Sequence, residues 1–124
     1  MSVTIEVPGR PIAWARPRSH GSRHFTPQRV LDAEEAIAWH IRAKLGAGFP
    51  TTDQLIAVRL VFWTTRALRG DVDNYAKLVL DGLEKSGVIE NDRQVRALDV
   101  RFVVGGDTEK TVIEISPLEE GVAA

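Results

Sequence analysis

The chain has 124 residues, of which 44% are hydrophobic and 27% are charged, a balance typical of one globular domain rather than of a disordered chain. It contains no cysteine, which excludes disulfides, thiolate zinc sites and cysteine nucleophiles. No apolar run approaches the ~20 residues of a membrane span, and the chain starts on a strand pattern rather than on a signal peptide. We therefore expect a cytoplasmic location and no membrane partner.

The first part of the chain predicts a strand, a long loop and a helix. Val3 to Val7 alternate between apolar and polar side chains and end at Pro8-Gly9, which indicates a strand closed by a turn. Residues 10–28 are rich in proline and show no sustained period, which is typical of a long loop, and long loops in compact domains are usually functional or disordered. From about Pro27 to Leu45 apolar positions recur along one helix face, and Gly46 ends the helix.

The second part predicts a strand, a helix and two further strands. Leu55 to Trp63 is rich in β-forming residues. A helix follows from about Asp73 to Lys85, with an apolar stripe on one face and Gly87 as its C-terminal stop. The last two strands are predicted at Val95–Val104 and at Lys110–Ile115, joined by a glycine-rich turn.

The resulting order, β-α-β-α-β-β, predicts the fold class. It indicates an α/β (α+β) architecture, in which a small mixed four-stranded sheet carries two packed helices. There is no internal repeat or low-complexity stretch, so we expect a single domain over residues 1–118. Residues 119–124 are predicted to be a frayed tail.

The most informative segment lies between the second strand and the second helix. Asp71 and Asp73 are two residues apart, so both carboxylates project from the same side of an extended segment. From there Asp73, Lys77 and Asp81 recur every four residues along one helix face. Carboxylates crowded in this way are costly unless a cation neutralises them, and hard divalent cations such as magnesium prefer such oxygen ligands. A neighbouring lysine adds a positive charge that can stabilise a phosphate or a leaving oxygen.

Simpler interpretations of the same residues exist. Asp73 is a good N-cap, and Lys77 with Asp81 fits an ordinary exposed pair worth only ~0.3–0.5 kcal/mol. The segment 71–92, however, holds six acidic residues against two lysines. A calcium-binding EF-hand is excluded because Ala76 stands where its loop needs glycine. Metal-dependent sugar transferases also use D-x-D, but 124 residues leave little room for a nucleotide-sugar fold.

The N-terminal loop carries the opposite charge. Residues 1–30 contain five arginines against Glu6 alone, although the whole chain has a formal net charge of −1. This asymmetry indicates a polyanion bound by one region and a metal bound by the other. The arginines that we assign to DNA phosphates are Arg10, Arg16, Arg18, Arg23 and Arg29. The alternative is a solvated loop that happens to be basic.

The aromatic side chains give a weaker signal. Trp14, Trp39 and Trp63 are predicted to belong to the core rather than to stack on nucleobases. Trp14 lies in the basic loop, so for this residue stacking on a nucleobase stays an alternative. His20 and His24 are interpreted as exposed phosphate contacts or neutral loop residues rather than as metal ligands.

Taken together, these motifs resemble the RusA family of Holliday junction resolvases, which are small endodeoxyribonucleases of bacteria and phages. The resemblance spans about residues 5–103 in the right order. Its three parts are the opening 8–27, the centre Asp71-Val72-Asp73-Asn74 with Lys77 and Asp81-Gly82-Leu83, and the turn Gly87–Val95. The centre is specific, because D-x-D-N-x-x-K-x-x-x-D followed by an N-D-x-Q-V turn rarely arises by chance.

The resemblance implies a homodimeric nuclease that depends on magnesium, or on manganese in its place. Such an enzyme would cut four-way DNA junctions by paired incisions in recombination and repair, and would work on DNA in the nucleoid. Asp71, Asp73 and Asp92 fall on the family's metal-binding carboxylates, and Lys77 falls on its essential lysine. Asn91 stands where the family often has an aspartate, and it keeps a carbonyl oxygen but no charge.

The resemblance also suggests a division of roles. Asp71, Asp73, Asp92 and Lys77 form the catalytic set. The remaining polar residues of the motif are assigned supporting roles, and these are Asn74, Asp81 and Asn91. The metal would polarise the phosphate and activate a water, while the lysine would stabilise negative charge.

Two other functions stay open on the sequence. The first is a broader structure-selective nuclease that acts on flaps or replication forks with the same metal site. The second is a non-catalytic protein that binds junctions and retains the fold. Catalysis is favoured, because a binding module would have no need of Asp71, Asp73, Lys77 and Asp92 together.

Overall fold

A computed structural model describes residues 2–14, 18–20, 23–46 and 52–118, with only the backbone of residues 18–20 and 23–25. The C-terminal residues 119–124, which were expected to fray, lie outside the described residues. No helix in the described ranges is both long enough and apolar enough to cross a membrane.

The first part of the chain forms a strand, a short ribbon and a long helix. Strand β1 spans Val3–Pro8 and helix α1 spans Gln28–Leu45, each within one residue of its prediction. Between them β2 (Arg18–His20) pairs with β3 (Arg23–Phe25) in an antiparallel ribbon. The prediction of a loop throughout residues 10–28 is therefore wrong for this part. Each ribbon strand has only three residues, too few for an alternating pattern to be recognised.

The second part follows the predicted order. Strand β4 spans Ile56–Thr64, helix α2 spans Val72–Ser86, strand β5 spans Val95–Val104 and strand β6 spans Lys110–Pro117. A single 3-10 turn, Asp92–Gln94, precedes β5. Helix α2 ends as expected at a glycine, whose φ of 86° lies in the left-handed region that favours this residue.

The four long strands form one mixed sheet with the order β1-β6-β4-β5. Strand β4 pairs in parallel with β5 and antiparallel with β6, which also pairs antiparallel with β1. The predicted fold class, a mixed four-stranded sheet with two packed helices, is thus confirmed. Strand β5 lies at one edge of the sheet and carries fewer buried side chains than β4.

The core lies between one face of the sheet and the two helices. Alternate residues of the central strand β4 are buried, and these are Ile56, Val58, Leu60, Phe62 and Thr64. This alternation is the pattern of a strand that presents one face to a core. Helix α2 buries Tyr75, Ala76, Leu78, Val79 and Leu83 against the same cluster, and α1 adds Val30, Ile37 and Ile41.

The three tryptophans do not share one environment. Trp39 is 62% exposed on α1, where its ring packs edge-on against His40 with 5.0 Å between ring centroids. The prediction of a core Trp39 is therefore wrong, because its position on α1 falls outside the face that packs on the core. Trp63 is half-buried on β4 and lies under the ammonium of Lys110. Trp14 is half-buried and packs against the edge of the core.

The two helices approach each other closely at Gly82. A Cβ at this position would lie 2.6 Å from Ile37 Cγ2 and 2.9 Å from Ile37 Cβ. Only glycine therefore fits, although glycine in a helix costs about 1 kcal/mol relative to alanine. The close approach fixes how α2 is rotated against α1.

Gly82→Ala should lower the free energy of unfolding by about 1–3 kcal/mol, because the new methyl group overpacks the contact with Ile37. Urea unfolding measures this directly. Gly106→Ala is the matched control, since nothing lies within 4 Å of the added Cβ. The control should stay within about 0.5 kcal/mol of the parent protein. Equal stability of the two variants would contradict the close helix approach.

Candidate active site

Asp71 and Asp73 lie at the N-terminal end of α2. Asp71 is the N-cap residue, with extended backbone angles, and its side chain makes no capping hydrogen bond. Asp73 lies in the first helical turn, where a negative charge interacts favourably with the helix dipole. Both side chains are exposed. The simpler interpretation of Asp73 as the N-cap is therefore wrong, and the Asp71 carboxylate is not used to cap the helix.

Lys77 lies one turn further along α2 and is surrounded by negative charge. Its Nζ donates a 2.7 Å hydrogen bond to Asp81 Oδ1. This hydrogen bond is the main reason why the pKa of Lys77 is raised, with further contributions from the charges of Asp81, Asp92 and Glu84. Partial burial acts in the opposite direction. Lys77 thus forms the predicted i, i+4 pair, and the charges of two further carboxylates act on the same ammonium.

Asp92 is held next to this group by the turn that precedes β5. Its backbone N–H donates a 2.7 Å hydrogen bond to Glu84 Oε1. Asn91 is the N-cap of the turn, with its Oδ1 accepting a 2.8 Å bond from the Arg93 N–H and Gln94 completing a capping box. A capping role suits asparagine as well as aspartate, which gives a structural reason for the uncharged side chain at this position.

Hydrogen bonds also join the Asp92–Gln94 turn to the segment before β4. Gln94 Oε1 accepts hydrogen bonds from the N–H groups of Glu90 and Asn91, at 2.8 and 3.1 Å. Its Nε2 donates to the carbonyl oxygens of Thr52 and Gln54, at 2.9 and 3.0 Å. One side chain therefore joins both ends of the turn to a second segment, which restricts where Asp92 can lie.

The carboxylates fall into two groups along α2. The charges of Asp81, Glu84 and Asp92 act together on Lys77. Asp73 lies one turn before Lys77, toward the N-terminal end of the helix. Asp73 and Glu84 are about 16 Å apart along the helix axis, from their spacing of 11 residues. Among the described residues, no three acidic or histidine side chains lie together as one metal-ligand set.

The sequence interpretation missed the position of Glu84. It was counted only in the charge of the segment, yet its carboxylate contacts the backbone of Asp92. The signal was present, because Lys77, Asp81 and Glu84 follow the i, i+4, i+7 spacing of one helix face.

Beside the N-terminal end of α2 lies an open basic groove of about 530 Å³. We call it the arginine groove, and its charged lining residues are Arg10, Arg29, Arg66 and Arg69. Two of these, Arg10 and Arg29, were predicted to contact DNA. Arg16 lies outside the described residues. Arg18 and Arg23 lie on the ribbon, of which only the backbone is described.

The sequence analysis did not assign Arg66 and Arg69 to DNA, because both lie outside the basic segment of residues 1–30. The backbone between them is fixed at both ends. The buried Thr64 hydroxyl donates a 2.6 Å bond to the Arg66 carbonyl, and the Tyr75 hydroxyl donates a 2.6 Å bond to the Arg69 carbonyl. Burial raises the pKa of Tyr75, so its hydroxyl stays protonated as a donor. Within the described residues neither arginine forms an ion pair, whereas Arg10 contacts Glu109 at 2.8 Å.

The family model described as Endodeoxyribonuclease RusA matches residues 8–116. The chain is 28% identical over 102 residues to the Crossover junction endodeoxyribonuclease RusA of Aquifex aeolicus (strain VF5), covering 82% of this chain and 79% of that protein. The family match includes α2, the Asp92 turn and the arginine groove. The chain therefore belongs to the RusA endodeoxyribonuclease family.

Proposed function

We propose that this protein is a divalent-metal-dependent endodeoxyribonuclease that resolves four-way DNA junctions by paired incisions in recombination and repair. The observation that carries the proposal is the charged face of α2, where Asp73 is exposed and Lys77 and Asp81 are half-buried. This face lies wholly inside the family match. The Aquifex relative is named a crossover junction endodeoxyribonuclease, which supports a junction as the substrate. A chromosomal substrate would make the nucleoid the place of action.

The donor chemistry of this face fits a hard divalent cation. Magnesium in proteins is commonly bound by one or two carboxylates, with substrate phosphates and water completing its shell. Asp71 and Asp73 supply two exposed carboxylates two residues apart, and we assign the cation, magnesium or manganese, to them first. Asp92, whose charge acts on Lys77, is the third proposed carboxylate. Such a cation supplies charge neutralisation at the phosphate and a more acidic water.

Lys77 acts electrostatically in this proposal. Because its pKa is raised, the side chain keeps its positive charge at neutral pH and is a poor proton donor. The hydrogen bond to Asp81 holds the ammonium in place before DNA arrives. A fixed positive charge near the scissile phosphate stabilises the negative charge that develops on the phosphate or the leaving oxygen.

Asp73→Asn should lower the rate of junction cleavage by roughly 100-fold or more, because even the loss of an outer partner of a metal ligand costs 10–100-fold. Asp71→Asn should behave alike. The measurement is cleavage of a synthetic four-way junction, with linear duplex, flap and fork substrates alongside, with and without magnesium. Asp107→Asn, in the exposed turn before β6, is the matched control and should cleave normally.

Cleavage by Asp73→Asn at the parent rate would remove this residue from the mechanism. Preference for flaps or forks over the four-way junction would instead support the broader nuclease. Junction binding without any cleavage by the parent protein would support a non-catalytic binding protein.

The arginine groove is the proposed contact for the DNA backbone. Neutralising Arg66 and Arg69 together, as R66Q/R69Q, should weaken junction binding and lower the slope of log K against log salt by about 2, since each lost phosphate contact removes about 0.9. The matched control is R59Q/R101Q, which removes two arginines that contact Asp99 elsewhere on the sheet. Titrations at several salt concentrations measure both slopes. An equal change in the two double variants would contradict a specific role for the groove.

A homodimer is the proposed assembly. A four-way junction has near two-fold symmetry and needs two incisions, and a two-fold symmetric pair of subunits is the simplest way to supply two sites. The edge strand β5 ends in apolar side chains that are poorly covered, with Val104 53% exposed. Within the described ranges no strand pairs with the outer side of β5, and an edge of this kind is suited to association with another chain. Sedimentation without DNA should give twice the 13.7 kDa chain mass, and a persistent monomer on junctions would contradict paired incision by a dimer.

A further inference from the structure

An apolar groove of about 640 Å³ runs between α2 and the edge strand β5. It exists because β5 is incompletely covered, which leaves Leu98 45% exposed and Val100 half-buried. Val72, 47% exposed, and Leu80 contribute the α2 side. The groove has the volume of a small-molecule site, and a contiguous exposed apolar surface of this kind commonly marks a binding site.

Trp14 forms one wall of this groove. Its backbone N–H donates a 2.9 Å hydrogen bond to the Asn74 carbonyl, which ties the N-terminal segment to the first turn of α2. Its ring is half-buried, and Lys77 Nζ lies 5.9 Å from the ring centroid. Trp14 packs against the core, as the sequence predicted, and it also lines a groove that includes Asp73 and Lys77.

We propose that this groove binds one unstacked nucleobase of the DNA strand next to the scissile phosphate, with the Trp14 ring as the stacking surface. The inference rests on the proposed function, because it needs DNA to lie against Asp73 and Lys77. The free energy needed to unstack a base is lowest at the branch point of a junction. Stacking of that base on an aromatic ring offsets this free energy.

The charges around the groove favour a nucleotide over an apolar protein side chain. A nucleotide combines a flat apolar base with an anionic phosphate, and the groove combines an apolar floor with the Lys77 ammonium at its edge. An apolar side chain of a second subunit would cover the floor but would leave the ammonium without an anionic partner from the ligand.

The test combines protein variants with altered junctions, and binding is measured without divalent cations so that cleavage plays no part. Trp14→Ala should lower affinity for an intact junction by roughly 5- to 100-fold, the loss expected for one stacked base. Trp14→Phe should remain close to the parent protein because it keeps an aromatic ring. Trp39→Ala is the matched control, since that ring is exposed on α1 away from the groove.

The junctions carry a single abasic site at each position within two nucleotides of the cut. One position should lower the affinity of the parent protein by the same factor as Trp14→Ala, and Trp14→Ala should lose nothing more on that junction. Additive losses from the variant and the abasic site at every position would overturn the proposal. If Trp14→Ala fails to fold, equal affinity of the parent protein for the intact junction and all abasic junctions would overturn it.

Two further outcomes separate this inference from the proposed function. A parent protein that neither binds nor cuts junctions would overturn the proposed function itself. A parent protein that binds and cuts, with Trp14→Ala unchanged in both, would overturn only the nucleobase site. Sedimentation of Trp14→Ala and Trp39→Ala completes the test. A monomer from the first and a dimer from the second would show that a second copy of the chain covers the groove, which also overturns the proposal.

Discussion

The burial of one face of α2 between the sheet and α1 is the constraint on which the candidate site depends. Tyr75, Leu78, Val79 and Leu83 are almost completely removed from water. Each such side chain contributes roughly 1.5–3 kcal/mol, whereas an exposed ion pair contributes at most about 1 kcal/mol. Apolar packing therefore decides how the helix is rotated, and the charged residues take the face that is left.

The close contact between Gly82 and Ile37 makes that rotation specific. A larger residue at position 82 would push the helices apart or turn α2 about its axis. Either movement would shift Lys77 relative to the Asp92 turn, which is fixed separately through Gln94 to Thr52 and Gln54. The geometry of the charged group is thus set by apolar and backbone contacts that lie outside it.

The first turn of α2 lies between two surfaces of different character. On one side Tyr75 and Arg69 belong to the arginine groove, and on the other Val72 and Asp73 belong to the apolar groove. If a DNA strand crossed this turn, its phosphate backbone would contact the arginine groove and one of its bases would contact the Trp14 ring. The two surfaces differ in this way although the formal net charge is −1, because positive and negative charges are segregated along the chain.

The sequence by itself determined the order of the elements and most of their bounds, because periods of 3.6 and 2 are local properties of the chain. It also identified the charged face of α2, since Asp73, Lys77 and Asp81 need only helical spacing to align. The sequence did not predict the two ribbon strands, because a segment of three residues is too short to show an alternating pattern.

Only the tertiary structure decided how distant segments meet. Three arrangements bring separate parts of the chain together. The Glu84 carboxylate contacts the Asp92 backbone, and Trp14 lies beside Lys77. Arg66 and Arg69 share one groove with Arg10. Such contacts depend on how helices and strands pack, and packing follows from the shapes of many side chains at once rather than from the spacing within one segment.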